Sequence, residues 1–356
     1  MVNIIKCLLC ILLLSSCAKT KYLWEQGWGH FDIYWSKPKK NSEVLKDPNI
    51  SEEIKNKITD IENYKAYFYQ YFKKKPSANY SKTVFLDEDV LTYLVIVSPH
   101  DVVKAKEFSF PFYGSFPYLG FYKKESAENF IKSMHEQDYV THMRKVDAYS
   151  TLGKMEDPIF STFFKYDEYD LAKLIFHELF HSIFFIKDDV ELNENMANYF
   201  ADQMVLEYFK LSPEKLAVEK LAQEKEIRLK QEIVFYAKEL NRNYAMARFN
   251  LTKIDSDMIL EQFLRSRFNP GMKQLCKELK LKKDECFPLR YLWNNATFAS
   301  FITYERNRYE IEDVHKKVQG NLLDFYQFLE KNYEIYNSND YEEHLKFSEF
   351  IFRKVE

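Results

Sequence analysis

Glycine and proline are scarce in this chain, with 7 and 10 among 356 residues. That scarcity excludes collagen-like, low-complexity and linker-rich organisation. It also favours helices over a turn-rich all-β fold. Charge of one sign is lacking as well. The 51 basic and 54 acidic residues leave a net charge of −3, so composition gives no support for binding nucleic acid. The apolar run at the N-terminus is too short for a membrane-spanning helix. After Cys17 only Cys276 and Cys286 remain. Neither has the Cys-x-x-Cys spacing of a metal site. A disulfide between them and a pair of reduced thiols both stay open, because sequence does not define bridge geometry.

Apolar and aromatic residues are plentiful: 46% and 17% of the chain, with 31 Phe and 26 Tyr. A sizeable core is therefore available, in one large domain or two ordinary ones. The opening "MVNIIKCLLCILLLSSC" has one Lys, a short apolar run and then small residues, the pattern of a secretory signal. Its end, Leu14 to Cys17, resembles the bacterial lipobox, in which the Cys is lipidated and becomes the mature N-terminus. An ordinary cleaved signal is the alternative. By the same resemblance, Ala18 after the Cys suggests the outer membrane over the inner one. An exported location would permit a disulfide.

Residues 51–75 are expected to form a helix with Ser51 as N-cap and lysines at its end. Residues 83–99 have strand-like content. The aromatic segment 108–122 carries two prolines, which argue against a central strand. Residues 123–137 look helical and 138–150 strand-like. From about 168 onward nearly everything reads as helix. One of these helices covers 211–240, with Ser212 as N-cap and Pro213 at its first position. The expected fold is α+β, predominantly helical. Its leader would be 1–17, and a single domain 18–356 would divide into a sheet-containing part, 18–160, and a helical part, 161–356.

The stretch "DLAKLIFHELFHSIFF", residues 170–185, is apolar yet carries three ionisable groups. Burying them without partners is costly. On a helix over 170–187, His177 and His181 lie one turn apart on one face. Glu178 lies about 100° around from His177. This is the H-E-x-x-H arrangement, in which two imidazoles bind a metal and the Glu is general base on a metal-bound water. Zinc with three protein ligands keeps a position open for water, whose pKa it lowers toward about 7. Glu178 would pass the proton to the leaving amine. Chance occurrence of the pattern on a solvated helix is the alternative, and the Leu, Ile and Phe around it do not fit that. A second helix over 187–205, capped by Asp188 or Asp189, offers Glu191, Glu194 and Asp202 as third ligand. Glu194 is preferred because Ala197 and Ala201, at i+3 and i+7, would let the helices approach closely. Asn198, one turn beyond, is a candidate to orient a ligand histidine.

With these residues in place, the chain resembles the gluzincin metallopeptidases, which use H-E-x-x-H and a downstream Glu. "NENMAN" is similar to their N-E-x-x-[SA]-D segment, with Asn198 in place of the acid. More specifically it resembles a bacterial family of predicted zinc aminopeptidases. "YLWEQGWGHFDIY" keeps that family's Gln26 and Gly29, with His30 where Gln is usual. "FSFPFYGSFPYLGFY", "DAYSTLGKMEDPIFST" and "NNATFASFITY" match further segments, so the likeness covers roughly residues 20 to 305. Ser109 and Ser115 stand where the family commonly has two Cys. The resemblance implies a zincin-like fold, with a small N-terminal sheet and a large helical part around the metal helix. It also implies a Zn2+ cofactor, peptide substrates and hydrolysis in a cleft beside an edge strand, with residues 144–153 as candidates for that strand. Tyr149 and Tyr304 are candidates to contact substrate or the transition-state oxyanion, against a default of hydrogen-bonded packing. Asn294 and Asn295 are candidates to line the cleft or cap a helix. His100, His135 and His142 have no spacing that ties them to the metal. The expected protein is a zinc peptidase, an aminopeptidase by the resemblance, lipid-anchored in the bacterial envelope. The alternatives are an endopeptidase of the same mechanism, or a non-enzymatic lipoprotein whose metal serves structure or partner binding.

Overall fold

The computed structural model describes residues 22, 25, 27–29, 31–110, 114–148, 155–187, 189–247, 251–305, 308–338 and 345–354. Every strand among them lies at or before Phe160, and long helices dominate from Glu168 onward. The class is α+β with helix in excess, as composition suggested.

Helix α1, Glu52–Tyr71, starts where the Ser51 hydroxyl accepts the Ile54 N–H at 3.4 Å. Ile58, Ile61, Tyr64 and Phe68 form its buried stripe at the three-to-four-residue spacing of one helix face. It ends earlier than expected. Phe72 caps it and Lys73 turns left-handed at φ 53°, so Lys73 to Lys75 lie beyond the helix.

The stretch expected as one strand over 83–99 is two strands in different sheets. Lys39–Lys40 (β1) pairs antiparallel with Lys82–Val84 (β2), which pairs in parallel with Ile159–Phe160 (β8). Thr92–Pro99 (β3) is instead the centre of a second sheet, between Leu119–Phe121 (β6) and Tyr139–Val146 (β7), both antiparallel to it. The polar "LDED" run between β2 and β3 has no place in a buried strand. Phe108–Phe110 (β4) and Gly114–Phe116 (β5) form a separate ribbon. Among the described residues, three small sheets thus replace the single one expected. The proline-bearing segment supplies only the ribbon and edge strand β6, consistent with proline's lack of a ladder donor.

Strand side chains alternate between faces, and β3 uses both. Tyr93, Val95 and Val97 pack toward helix α2, Lys124–His135, with its Ala127 and Met134. Leu94 and Ile96 cluster with Ala296, which belongs to a helix late in the chain. Hence β3 reads as an unbroken apolar run.

The main core joins α1 to helices α3, Glu168–Ile183, and α4, Val190–Phe209. Helix α5, Pro213–Met246, begins with the Ser212 cap and Pro213 as the sequence indicated. It packs with α6, Lys253–Phe263, α7, Asn269–Glu278, and α8, Asn295–Glu305, in a second cluster. Cys276 and Cys286 form a disulfide at its margin. Three further helices follow: α9, Arg308–Val318, α10, Leu322–Ser338, and α11, Phe347–Lys354. Phe200 of α4 stacks on Phe180 of α3 at 4.3 Å and on Phe325 of α10 at 5.4 Å. Among the described residues, no helix is long and apolar enough to cross a membrane.

Candidate metal centre

Helix α3 is anchored at its start by Asp167, whose carboxylate accepts the Asp170 N–H at 2.8 Å. It ends at Ile183 rather than continuing to 187. Phe184 is extended, and Asn193 of α4 clamps the chain beyond it. Its side chain accepts from Ile186 N at 2.9 Å and donates to Ile186 O. Those bonds satisfy backbone groups that a longer helix would have paired internally. Asp189 caps α4 by accepting from Leu192 N; Asp188 lies outside the described residues.

The two helices therefore run antiparallel, and three cross-links mark their register. Glu194 faces His177 and His181, Asn198 bears on His177, and Asp202 pairs with Lys173 at 2.5 Å. Ala197 and Ala201 are fully buried in the same core. Of the three candidate carboxylates, Glu194 is the one brought to both rings. Its oxygens lie 3.5 Å from His177 Nε2 and 3.7 Å from His181 Nε2, and the two ring nitrogens are 3.2 Å apart. Among the described residues, no second group of His, Cys, Asp or Glu converges this way, and these donor atoms lie within 4.8 Å of one another.

The donor set fits a metal. In a tetrahedron with bonds of about 2.0–2.2 Å, neighbouring donor atoms sit about 3.3–3.6 Å apart; the two ring nitrogens are 3.2 Å apart and each has one Glu194 oxygen at 3.5 Å or 3.7 Å, while one atom per residue spans up to 4.8 Å. His181 is 5% exposed, and its Nδ1, on the side of the ring away from the cluster, is buried without a hydrogen-bond partner. Only its Nε2 is engaged, toward Glu194 and His177.

Electrostatics bind the cluster together. Burial favours protonation of the Glu194 carboxyl, but His181, His177 and then Arg144 outweigh it and hold its pKa low. Burial pushes the His181 pKa down, against the pull of Glu194. Burial also opposes charge on His177, yet its hydrogen bond to Glu194, the Glu178 and Glu194 charges and Asn198 together raise its pKa. Glu178 is 7% exposed. Burial pushes it up to about 7, with His177 pulling down and Glu194 and Asp157 adding to the rise.

Arg144 and Asp157 had no role in the sequence reading. Arg144 lies on β7, within the segment expected to line the cleft, and acts electrostatically on Glu194. Asp157 is 1% exposed, accepts from Tyr34 Oη at 2.8 Å, and bears on Glu178. Its sequence signal was present in "DAYSTLGKMEDPIFST", which matched the family without indicating what the acid does. Asn294 caps α8 by accepting from Thr297 N, and donates to Thr141 O of β7. Asn295 is buried and bonds Pro99 O, His100 O and the Tyr244 hydroxyl. Both are structural anchors. His100, His135 and His142 pair with Ser256, Thr141 and Thr297, and none belongs to the converging group. Ser109 and Ser115 oppose one another on β4 and β5 and hydrogen-bond at 2.7 Å. Cys17, Tyr149 and the side chain of Tyr304 lie outside the described residues.

Residues 21–343 match the family model described as "Putative aminopeptidase". The chain belongs to that family. Family membership covers nearly the whole sequence and suggests peptidase activity. No curated protein and no solved structure matches the chain.

Proposed function

We propose that this member of the putative aminopeptidase family is a zinc-dependent peptidase with a zincin-like active site. The convergence of His177, His181 and Glu194 within 4.8 Å, beside buried Glu178, carries this reading. The two imidazoles and the carboxylate would hold the ion. A bound zinc supplies Lewis-acid activation of the attacking water and the scissile carbonyl. Three protein donors leave room for such exchangeable ligands, unlike a closed four-ligand structural site. Glu178 takes the proton from the attacking water on its carboxylate and delivers it to the leaving amine. Asn198, which bears on His177 from one helical turn beyond Glu194, would orient that imidazole, as partners of ligand histidines do. The family description favours removal of N-terminal residues. The lipobox-like Cys17 would tether the enzyme to the bacterial envelope.

The test is hydrolysis of a peptide library with and without chelator, comparing wild type with Glu178→Gln. The variant should bind zinc normally and lose about 10²–10⁴-fold in turnover, the range for a general base. Cleavage at the wild-type rate by Glu178→Gln would refute the mechanism. Zinc binding by a wild type that cleaves nothing would favour the non-enzymatic reading.

A further inference from the structure

The helical stretch through residues 31–36, with its π-wound turn Asp32–Ser36, buries one face and leaves another bare. The buried face explains its packing. Gly29 lies so close to Tyr122 that a Cβ there would meet the ring at 2.1 Å. Ile33 enters the main core, and Tyr34 donates to Asp157. The outward face carries Trp28, Phe31 and Trp35, exposed by 64%, 51% and 65%. The three rings stack successively at 5.8 Å and 5.9 Å, at positions one helical turn apart. Among the described residues nothing covers them. Two of the four tryptophans of the chain are thus spent on solvent, whereas among the other described aromatic residues only Phe235 and Tyr291 are exposed.

We infer that this aromatic stripe docks on the surface of a lipid bilayer. Tryptophan favours the membrane–water interface, where its apolar ring and N–H are both accommodated. The neighbouring charge suits anionic headgroups: Lys39 and Lys40 are both exposed just beyond the stripe, while Asp32 is paired with Lys37. Position along the chain points the same way. Trp28 follows the lipobox-like Cys17 by 11 residues, a span of at most about 36–40 Å when fully extended. The lipid expected on Cys17 would by itself hold the chain at the membrane, since two or more acyl chains anchor stably. The stripe adds orientation, laying one face of the folded domain against the surface. Tyr34 on the same stretch holds Asp157 beside Glu178, so docking fixes the candidate site relative to the membrane. The inference rests on the envelope part of the proposed function and is independent of peptidase activity.

The test is tryptophan fluorescence of the membrane-purified full chain in vesicles of phosphatidylcholine and phosphatidylglycerol. Acyl chains brominated near the headgroup should quench the emission and shift it to the blue. With Trp24 replaced by Phe in every protein compared, W28S/W35S should lose most of that quenching. Trp293, only 8% exposed, is then the one tryptophan left and reports that the variant is folded if its emission matches its contribution in the parent. Vesicles lacking phosphatidylglycerol should show weaker quenching. Unquenched wild type that still sediments with vesicles would keep the anchor and overturn the stripe. Equal quenching in W28S/W35S, or self-association that disappears in it, would also overturn the proposal, the latter by assigning the face to a second copy.

Discussion

Deleting the Glu194 carboxylate probes the candidate site most directly. Its two oxygens lie 3.5 Å and 3.7 Å from the ring nitrogens of His177 and His181. Glu194→Ala therefore removes one of three donors and leaves both rings in place. Structural zinc in four-ligand peptides binds with about 10–16 kcal/mol, or about 2.5–4 kcal/mol per ligand. At about 1.4 kcal/mol per decade, the variant should bind zinc about 10²–10³-fold more weakly. Competition against a chromophoric chelator reads this number. Glu191→Ala is the internal control, because Glu191 lies outside the converging group and should leave affinity nearly unchanged. Stability gives a second readout. With zinc at about a thousand times its Kd, chelation should remove about 4 kcal/mol from the wild type, and far less from Glu194→Ala. Wild-type affinity in Glu194→Ala, or a larger loss in Glu191→Ala, would refute the ligand assignment.

Asn198→Ala should weaken zinc binding about 10- to 100-fold, the usual effect of losing a partner of a ligand histidine, in the same competition assay. Phe200→Ala should lower stability by about 3–5 kcal/mol, seen as a reduced urea midpoint, because the ring is fully buried between Phe180 and Phe325. Replacing Cys276 and Cys286 by Ser should lower it by about 2.7 kcal/mol, from the loop entropy of a ten-residue closure, since their sequence separation is 10; an unchanged urea midpoint under oxidising conditions would refute that contribution.

Legibility in the sequence followed the range of the interaction. The Ser51 and Ser212 caps were readable because a cap is a contact across three residues. The His177/His181 pair was readable because i, i+4 spacing alone puts both on one helix face. The end of α3 was not, since it depends on Asn193 reaching back across the turn to Ile186. Nor was the split of 83–99, where β2 and β3 have partners as distant as Ile159 and Val146.

The sequence by itself therefore determined the helical bias, the two imidazoles with their adjacent glutamate, and a short menu of carboxylates on the next helix. Tertiary structure decided that Glu194 is the carboxylate that meets both rings and that Cys276 and Cys286 are bridged. It also placed Arg144 and Asp157 beside the cluster. The reason is physical. Periodicity and capping are set by neighbours along the chain, whereas these meetings depend on the path of the intervening backbone, which only packing of the whole core selects.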